Sequence, residues 1–385
     1  MPEGQAGKRR RPSASGEPSA QTVDAIRRAL LAWYKRHQRD LPWRHTEDPY
    51  AIWVCEVMLQ QTQVRTAAPF YGRFLERFPT VQALAAAPQD DVLKVWEGLG
   101  YYARARNLHR AAQLIASEHG GRLPNTFDEL ARLPGIGRYT AGAIASMAFG
   151  RDEPVLDANV TRVLSRLFAV RGDPRKAPTR HRLWETARLL LPAGNAGRFN
   201  QALMDLGAIV CTARVPQCLS CPLSELCVAK RKGLETVLPK RAPRKSIPHV
   251  EVTAGLVWDR ERSDPRARLL ITKRCPEDML GGLWEFPGGR RELGETLRAC
   301  LARELKEELE IEVEVGEPFL TVKHAYSHFR ITLSAFHCRI TDGEPQAIAC
   351  TEWRWVHPLK LGQYAFPRAD LRIIERLMSG RSEAL

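Results

Sequence analysis

Residues 133–163 read LPGIGRYTAGAIASMAFGRDEPVLDANVTRV. Gly135 and Gly137 remove two side chains where one helix ends and the chain must turn into the next. The backbone N–H groups at that new helix start are left bare, so a phosphate can approach them closely. Thr140, Ala141, Gly142 and Ala143 are small enough to let the helix pack tightly. Beyond it a loop delivers one carboxylate, Asp157, into an apolar setting of Val155, Leu156, Ala158 and Val160. The same residues also read as a plain glycine-capped hairpin followed by an Asp N-cap.

LPGIG is the pattern of a helix-hairpin-helix, which grips a DNA backbone without reading its sequence. The charge agrees: 58 Lys and Arg against 44 Asp and Glu leave a net +14 over 385 residues. Such an excess suits a polyanionic partner and steers it in a salt-dependent way. Charge alone does not separate DNA from RNA or an anionic membrane. The length predicts more than one domain. No run of 18 apolar residues is present, so no membrane helix and no membrane partner are expected. Residues 1–20 are basic, without the apolar core of a secretory signal. They read as a disordered basic tail whose Lys8–Arg11 run is either solvated or a weak DNA contact. The expected setting is a bacterial cytoplasm and the expected state a monomer.

Upstream, residues 22–38 place Val23, Ile26, Leu30 and Trp33 on one helix face. LPWR (41–44) breaks that helix, and Asp48-Pro49 opens another, AIWVCEVMLQQTQV (51–64). Its one acid, Glu56, lies among Ile52, Trp53, Val54, Val57, Met58 and Leu59. Apolar surroundings raise a carboxyl's pKa, which makes Glu56 a candidate proton donor unless it sits on the wet edge of the helix. Gln60–Gln63 can bond base edges or simply cap the helix. Short helices are expected at 71–78, 81–86, 92–96 and 103–118. Between the last two, GLGYYARA (98–105) reads as a second tight turn presenting Leu99, Tyr101 and Tyr102 outward. Aromatics on a glycine loop of a basic protein suit wedging between bases, and they also suit a core. Helices follow at 157–170 and 176–191. No alternating strand pattern occurs before about residue 249, so this half is all-α.

Nine cysteines without a secretion signal argue against a disulfide framework. Cys55, Cys275, Cys300, Cys338 and Cys350 are scattered, as buried thiols are. Cys211, Cys218, Cys221 and Cys227 are clustered as C-x6-C-x2-C-x5-C, a density that calls for a metal or cluster. Structural zinc and [4Fe–4S] are the rivals. The single C-x2-C knuckle and unequal gaps fit a cubane better than zinc.

The hairpin, the Asp157 loop and the cysteine cluster together resemble the endonuclease III superfamily of DNA glycosylases, over about residues 22–229. WVCEVMLQQTQV, GLGYY and LDANVTRV are most similar to its MutY adenine-glycosylase branch. The resemblance implies a helix-hairpin-helix glycosylase domain at 21–229, with a [4Fe–4S] cluster on the four cysteines. Its implied substrate is double-stranded DNA carrying A:8-oxoG or A:G mispairs. Glu56 matches the acid that protonates the adenine leaving group, and Asp157 the carboxylate that stabilises the sugar cation. Tyr139 and Asn159 match residues supporting that cation and its partners. Gln61, Thr62, Leu99 and Tyr101 match residues that enter the duplex, Gln201 an adenine contact, and Arg44 a support for the acid side of the pocket. Two carboxylates are needed because the base leaves only when protonated, while the sugar approaches an oxocarbenium ion. The base must first leave the stack. In the strand-cutting branch a lysine nucleophile stands in a KTA sequence just after the hairpin glycines. Here the run is Arg138-Tyr139-Thr140-Ala141, and a tyrosine forms no Schiff base, so a hydrolase without substantial lyase activity is expected.

KRKGLETVLPKRAPRKSIP (230–248) reads as an exposed basic linker, laid along phosphates or merely solvated. From 249 the pattern becomes α/β. EVTAGLVWD and ARLLITKR read as strands, LWEFPGG follows, then a helix over 293–309 and strands near 311–322 and 328–340. Residues 249–385 resemble the Nudix fold, which MutY enzymes append to recognise 8-oxoguanine. Tyr326, Ser327 and His328 fall where that family contacts the lesion. Most such domains have lost the Nudix box. Here Gly289, Glu295, Arg303, Glu304, Glu307 and Glu308 complete it except for the closing glycine, replaced by Glu310. Glu304, Glu307 and Glu308 are spaced to share a helix face able to hold Mg²⁺ against a pyrophosphate, so a vestige and an additional working pyrophosphohydrolase are both open; the vestige is the favoured expectation, with Mg²⁺ implied only if the box is active. The rival functions are a thymine- or uracil-directed glycosylase, a silent lesion-binding protein, and a nucleotide-pool pyrophosphatase tethered to a DNA-binding domain.

Overall fold

The computed structural model describes residues 18–240, 247–326 and 328–382. The Lys8–Arg11 run and Ser327 lie outside the described residues. In chain order the helices are α1 (Ala20–His37), α2 (Pro49–Leu59), α3 (Val64–Arg77), α4 (Val81–Ala86), α5 (Gln89–Trp96) and α6 (Ala103–Glu118). They continue with α7 (Phe127–Arg132), α8 (Arg138–Phe149), α9 (Ala158–Leu167), α10 (Ala177–Leu190), α11 (Ala196–Asp205) and α12 (Val228–Arg231). The strands are β1 (His249–Trp258), β2 (Leu269–Arg274), β3 (Trp284–Glu285), β4 (Glu312–Ala325), β5 (Arg330–Asp342) and β6 (Cys350–Val356). Helix α13 (Leu297–Leu309) lies between β3 and β4, and α14 (Arg368–Ser382) follows β6. Among the described residues no helix is long and apolar enough to cross a membrane.

Contacts divide the chain into two compact units. The first comprises Met1–Ile52, Asn125–Ala131 and Ile136–Ala242. The periodic stripe of α1 supplies one wall of its core: Val23, Ile26, Leu30 and Trp33 are all buried, against Val160 and Leu164 of α9, Leu183 of α10 and Phe199 of α11. Ser19 starts α1, its hydroxyl accepting the Thr22 N–H. The chain after α12 is held rather than loose. Leu238 is buried, and its carbonyl accepts from Arg166 Nε at 2.9 Å, which ties down the first half of the expected linker.

The second unit comprises Trp53–Pro124, Arg132–Gly135 and Pro243–Leu385. Its mixed sheet runs β3-β2-β1-β5-β4, with β6 also on β2. β1 and β5 are parallel, with Val252 opposite Leu333, and the other pairings are antiparallel. Alternation along the strands fills both faces. Leu256, Leu269 and Ile271 pack with Phe366 and with Ile373 of α14, while Val257 and Leu270 pack with Leu301 and Leu305 of α13.

Several elements differ from expectation. The helix read as 51–64 ends at Leu59, and α3 begins at Val64. Gln61 between them has a φ of +58°, which no helix accommodates. The helix read from 293 begins at Leu297, because the Thr296 hydroxyl caps the Ala299 N–H at 3.1 Å, and Leu293 stands fully exposed before it. Sequence reading passed over α11, β6 and α14 altogether.

Candidate active site

Asp157 is the N-cap of α9, and the cap fixes its carboxylate. Oδ1 accepts the Val160 N–H at 2.6 Å, and Oδ2 accepts the Asn159 amide at 2.9 Å. The side chain keeps a solvent-facing edge, yet burial pushes its carboxyl above the ordinary aspartate value. The two hydrogen bonds and nearby Arg162 pull the other way without overcoming it.

The support reaches further. Asn159 Oδ1 accepts from Arg162 at 2.8 Å, and the same guanidinium donates to the carbonyls of Cys211 and Gly207. Arg162 therefore joins the cysteine loop to the Asp157 cap. Gly207 lies in a π-helical turn, Leu206–Val210, and a Cβ there would come within 2.7 Å of Asn159 Cβ and 3.0 Å of its backbone. Gly207→Ala is expected to cost about 1–3 kcal/mol, as overpacking of a tight contact does. Thermal melting checks this, and an unchanged midpoint would show that Asn159 yields freely.

At the hairpin, Gly135 has a φ of +76°, and an added Cβ would fall 2.7 Å from Asn107 Cβ, so glycine is required twice over. Gly137 is the exposed N-cap of α8 and brings no side-chain cap, leaving the first-turn N–H groups to an anion. Tyr139 stands in that first turn, half-buried, its hydroxyl donating to Met204 Sδ at 3.5 Å.

Arg44 and Gln201 are linked through Tyr34. The Tyr34 hydroxyl donates to Gln201 Oε1 at 2.8 Å and accepts from Arg44 at 3.0 Å. Arg44 also pairs with the fully buried Asp205, which binds Arg39 as well. Asp205 and Tyr34 were not singled out from the sequence; no motif marks them.

Cys211, Cys218, Cys221 and Cys227 line one cavity with Arg166, Gln217, Lys230 and Glu235. Among the described residues no group of three His, Cys, Asp or Glu is gathered as a ready metal site. The donor set nevertheless suits a thiolate-bound cluster. Burial first, and then the neighbouring thiols, push Cys221 up to about 11, a cost that a bound cation removes. Arg166 donates to Cys211 Sγ at 3.3 Å and to the Thr212 carbonyl, placing positive charge against the sulfur.

In α2 every residue from Tyr50 to Met58 is buried, and Glu56 is only 5% exposed. It is not on a wet helix edge. The turn beyond α2 is held by a residue that sequence reading missed. Arg104 is 9% exposed, and its Nη1 donates to the carbonyls of Val57, Met58 and Gln60 at 2.7–2.9 Å. Its Nη2 donates to Thr62 Oγ1 at 3.2 Å and to the Gly100 carbonyl at 2.9 Å. The guanidinium also lies over the rings of Trp96 and Tyr101. Burial pulls its pKa down to about 10, which still leaves it charged at neutral pH. One cation thus stitches the Gln61–Thr62 turn to the 98–102 loop. Gln61 is exposed, and Tyr101, like Gln61, takes a left-handed φ, of +51°. Leu99 and Tyr102 are buried, as the core reading of this loop has it and not the outward one. The Tyr102 hydroxyl accepts the Gly98 N–H, and Arg104 draws the loop carbonyls inward. Any entry of Leu99 into a duplex requires this loop to open.

In the sheet domain Tyr326 stacks on Phe329 with ring centroids 4.8 Å apart. It lines a cavity of about 420 Å³ with Arg274, Glu285, Glu308 and Asp370. Burial and then Glu285 push Glu308 up to about 8. His328 is exposed. The acids of the Nudix box do not act as one group: Arg303 pairs with Glu295, Glu304 and Glu307, whereas Glu308 faces the cavity. Glu310 caps α13 with a φ of +59°, a conformation that suits the glycine it replaces. A larger hollow, about 1130 Å³ beside Trp258, His337 and Trp353, holds none of the candidate site residues.

Residues 54–188 match the HhH-GPD superfamily of base excision DNA repair proteins, and residues 261–376 match the NUDIX domain. The adenine DNA glycosylase of Rattus norvegicus is 35% identical, the match covering 87% of this chain and 74% of that protein. The adenine DNA glycosylase of Buchnera aphidicola is 32% identical, over 81% and 85% respectively. A thermostable thymine-DNA glycosylase structure superposes with a TM-score of 0.51 at 32% identity, covering 55% of this chain and 98% of its own. The two-domain match to the first two relatives also weighs against the thymine-directed alternative. With its N-capped carboxylate, open hairpin and appended sheet domain, the chain belongs to the adenine DNA glycosylases, base-excision repair enzymes acting on DNA.

Proposed function

We propose that the chain hydrolyses the N-glycosidic bond of adenine paired with 8-oxoguanine, or with guanine, without cutting the strand. Glu56, buried within α2, delivers a proton to the departing adenine. Asp157, ionised at the moment of reaction, faces the positive charge on the sugar. The observation that carries this reading is the Asp157 carboxylate, held at both oxygens by Val160 and Asn159. A developing cation beside it draws its pKa back down, opposing the effect of burial. Tyr139, in the position where a lysine would make a covalent adduct, supports a purely hydrolytic reaction.

The hairpin glycines hold a phosphate, while Gln61, Thr62, Leu99 and Tyr101 enter the duplex. Gln201 and Arg44, joined through Tyr34, face the adenine pocket. Cys211, Cys218, Cys221 and Cys227 hold a [4Fe–4S] cluster, which when bound neutralises the crowded thiols and shapes a loop tied to Asp157 by Arg162. Residues 21–229 carry the chemistry, and 249–385 read the oxidised base through Tyr326, Ser327 and His328. The Nudix box is vestigial on this reading, Glu295, Glu304 and Glu307 being engaged by Arg303 while Glu308 alone faces the cavity.

Duplexes carrying A:8-oxoG, G:T and U:G, incubated with the protein and then treated with alkali, test the proposal. Breaks are expected at A:8-oxoG alone, and only after alkali. Breaks before alkali overturn the hydrolytic reading, and breaks at G:T or U:G overturn the substrate.

A further inference from the structure

Within the second compact unit, the sheet domain is bonded to the helices that flank the 98–102 loop. Lys273 pairs with Asp90 of α5 at 2.6 Å. Lys94 donates to the Tyr364 carbonyl at 2.9 Å, and Arg106 of α6 to the Gly281 carbonyl at 2.6 Å. Glu97 is the central joint. It is the C-cap of α5 and the residue immediately before the loop. Its Oε2 holds Lys94 at 2.7 Å, and its Oε1 accepts the Phe366 N–H at 2.8 Å.

The far side of this joint leads to the lesion-reading tyrosine. The Phe366 ring packs on Phe286, whose N–H donates to Asp370, and Asp370 and Tyr326 line the same cavity. The neighbouring Ala365 carbonyl is pinned by the Trp284 N–H at 2.9 Å, so segment 364–366 cannot shift without disturbing β3. Tyr102 is near enough to Tyr326 to help raise its hydroxyl pKa, second to burial and Asp370.

We infer that Glu97 is a positioning residue for lesion specificity: its carboxylate on the Phe366 N–H sets the register between the duplex-entering loop and the Tyr326 reader. Asp90, Lys94 and Arg106 support that register. The inference rests on the A:8-oxoG reading above. Reading the oxidised base is useful only if it changes how the loop engages the paired adenine, and a bonded joint between loop and reader transmits that change. A hydrogen bond is directional, so its loss permits rotation without unfolding either part.

The test compares single-turnover adenine release from A:8-oxoG and A:G duplexes by the full chain. Glu97→Ala is expected to reduce the preference for 8-oxoguanine by about tenfold, the scale of one charge-assisted hydrogen bond. Its rate on A:G should stay within about twofold of the parent, since the chemistry itself is untouched. Glu97→Gln retains an oxygen for the Phe366 N–H and should recover most of the preference. If Glu97→Ala folds poorly, Lys94→Met, which breaks the Tyr364 contact, must show the same selective loss. An unchanged preference in these variants, or an equal slowing on both duplexes, overturns the inference. A parent protein that releases no adenine from either duplex overturns the glycosylase reading itself, an outcome distinct from a discriminating parent beside an equally discriminating Glu97→Ala.

Discussion

Asp157→Asn releases adenine from an A:8-oxoG duplex slower by a factor on the order of 10³, the scale of a lost preorganised charge at a transition state. Asparagine is nearly isosteric and caps helices well, so α9 persists and duplex binding survives. The charge is lost, together with one of the two accepted hydrogen bonds, because the new NH2 group meets a donor where Oδ2 accepted the Asn159 amide. The pH dependence follows from the same group. The working form is ionised, and burial has raised the carboxyl, so that form disappears as pH falls through a value above the ordinary aspartate pKa of about 3.9. The acid limb of the rate profile should therefore lie above the usual carboxylate range. Asn159→Ala removes a hydrogen bond that holds the pKa down, so it should move the limb further up, while reducing the rate by misorienting Asp157. Single-turnover rates across pH decide the matter. Parental turnover in Asp157→Asn, or an acid limb that Asn159→Ala moves downward, would sink the assignment.

Arg104→Met is the second large effect. Methionine fills much of the space but withdraws the guanidinium from the carbonyls of Val57, Met58, Gln60 and Gly100, of which Val57 keeps the Gln60 N–H, Gln60 the Thr62 hydroxyl and Gly100 the Trp96 ring N–H. Hydrogen bonds to a charged group contribute about 1.5–3 kcal/mol each, and part is returned because a buried cation no longer has to be desolvated. A net loss of about 2–4 kcal/mol is expected on that basis. For a domain of this size that lowers the melting temperature by roughly 5–15 °C. Activity should fall further than stability alone explains, since the Gln61–Thr62 turn and the 98–102 loop lose their common anchor. Arg104→Lys should not rescue it, because an ammonium cannot reach five acceptors spread over two segments. A variant that melts with the parent and acts at the parental rate would show the clamp to be dispensable.

Much of the local structure around the candidate site was legible because its signals are local. The α1 stripe repeats at helical spacing, the cysteines recur at short intervals, and Gly135 precedes a helix that a phosphate can approach. Glu56 announced itself as an acid in an apolar run, and it is buried. Other readings failed for a shared reason. The turn at Gln60–Gln63 interrupts a stretch, 51–64, that reads as one helix. The cause, Arg104, lies more than forty residues away and binds backbone carbonyls, which every residue possesses. Leu99 reads as either outward or core, because a glycine loop has no periodicity from which to infer a buried face. Leu238 sits in a Lys-, Arg- and Pro-rich stretch that composition marks as a tether, and only Arg166 on α9 shows that it is held.

The sequence by itself determined which groups are candidates for the chemistry, because side-chain identity and short spacing decide what is able to donate a proton, face a cation or hold a cluster. Tertiary structure alone decided how those groups are held. Arg162 ties the Cys211 loop to Asn159 and Asp157, Arg104 ties the α2 turn to the aromatic loop, and Glu97 ties that loop to the sheet domain. Each of these ties uses a backbone carbonyl or N–H as a partner. Such groups are the same at every position and become specific only when the fold brings them within hydrogen-bonding distance.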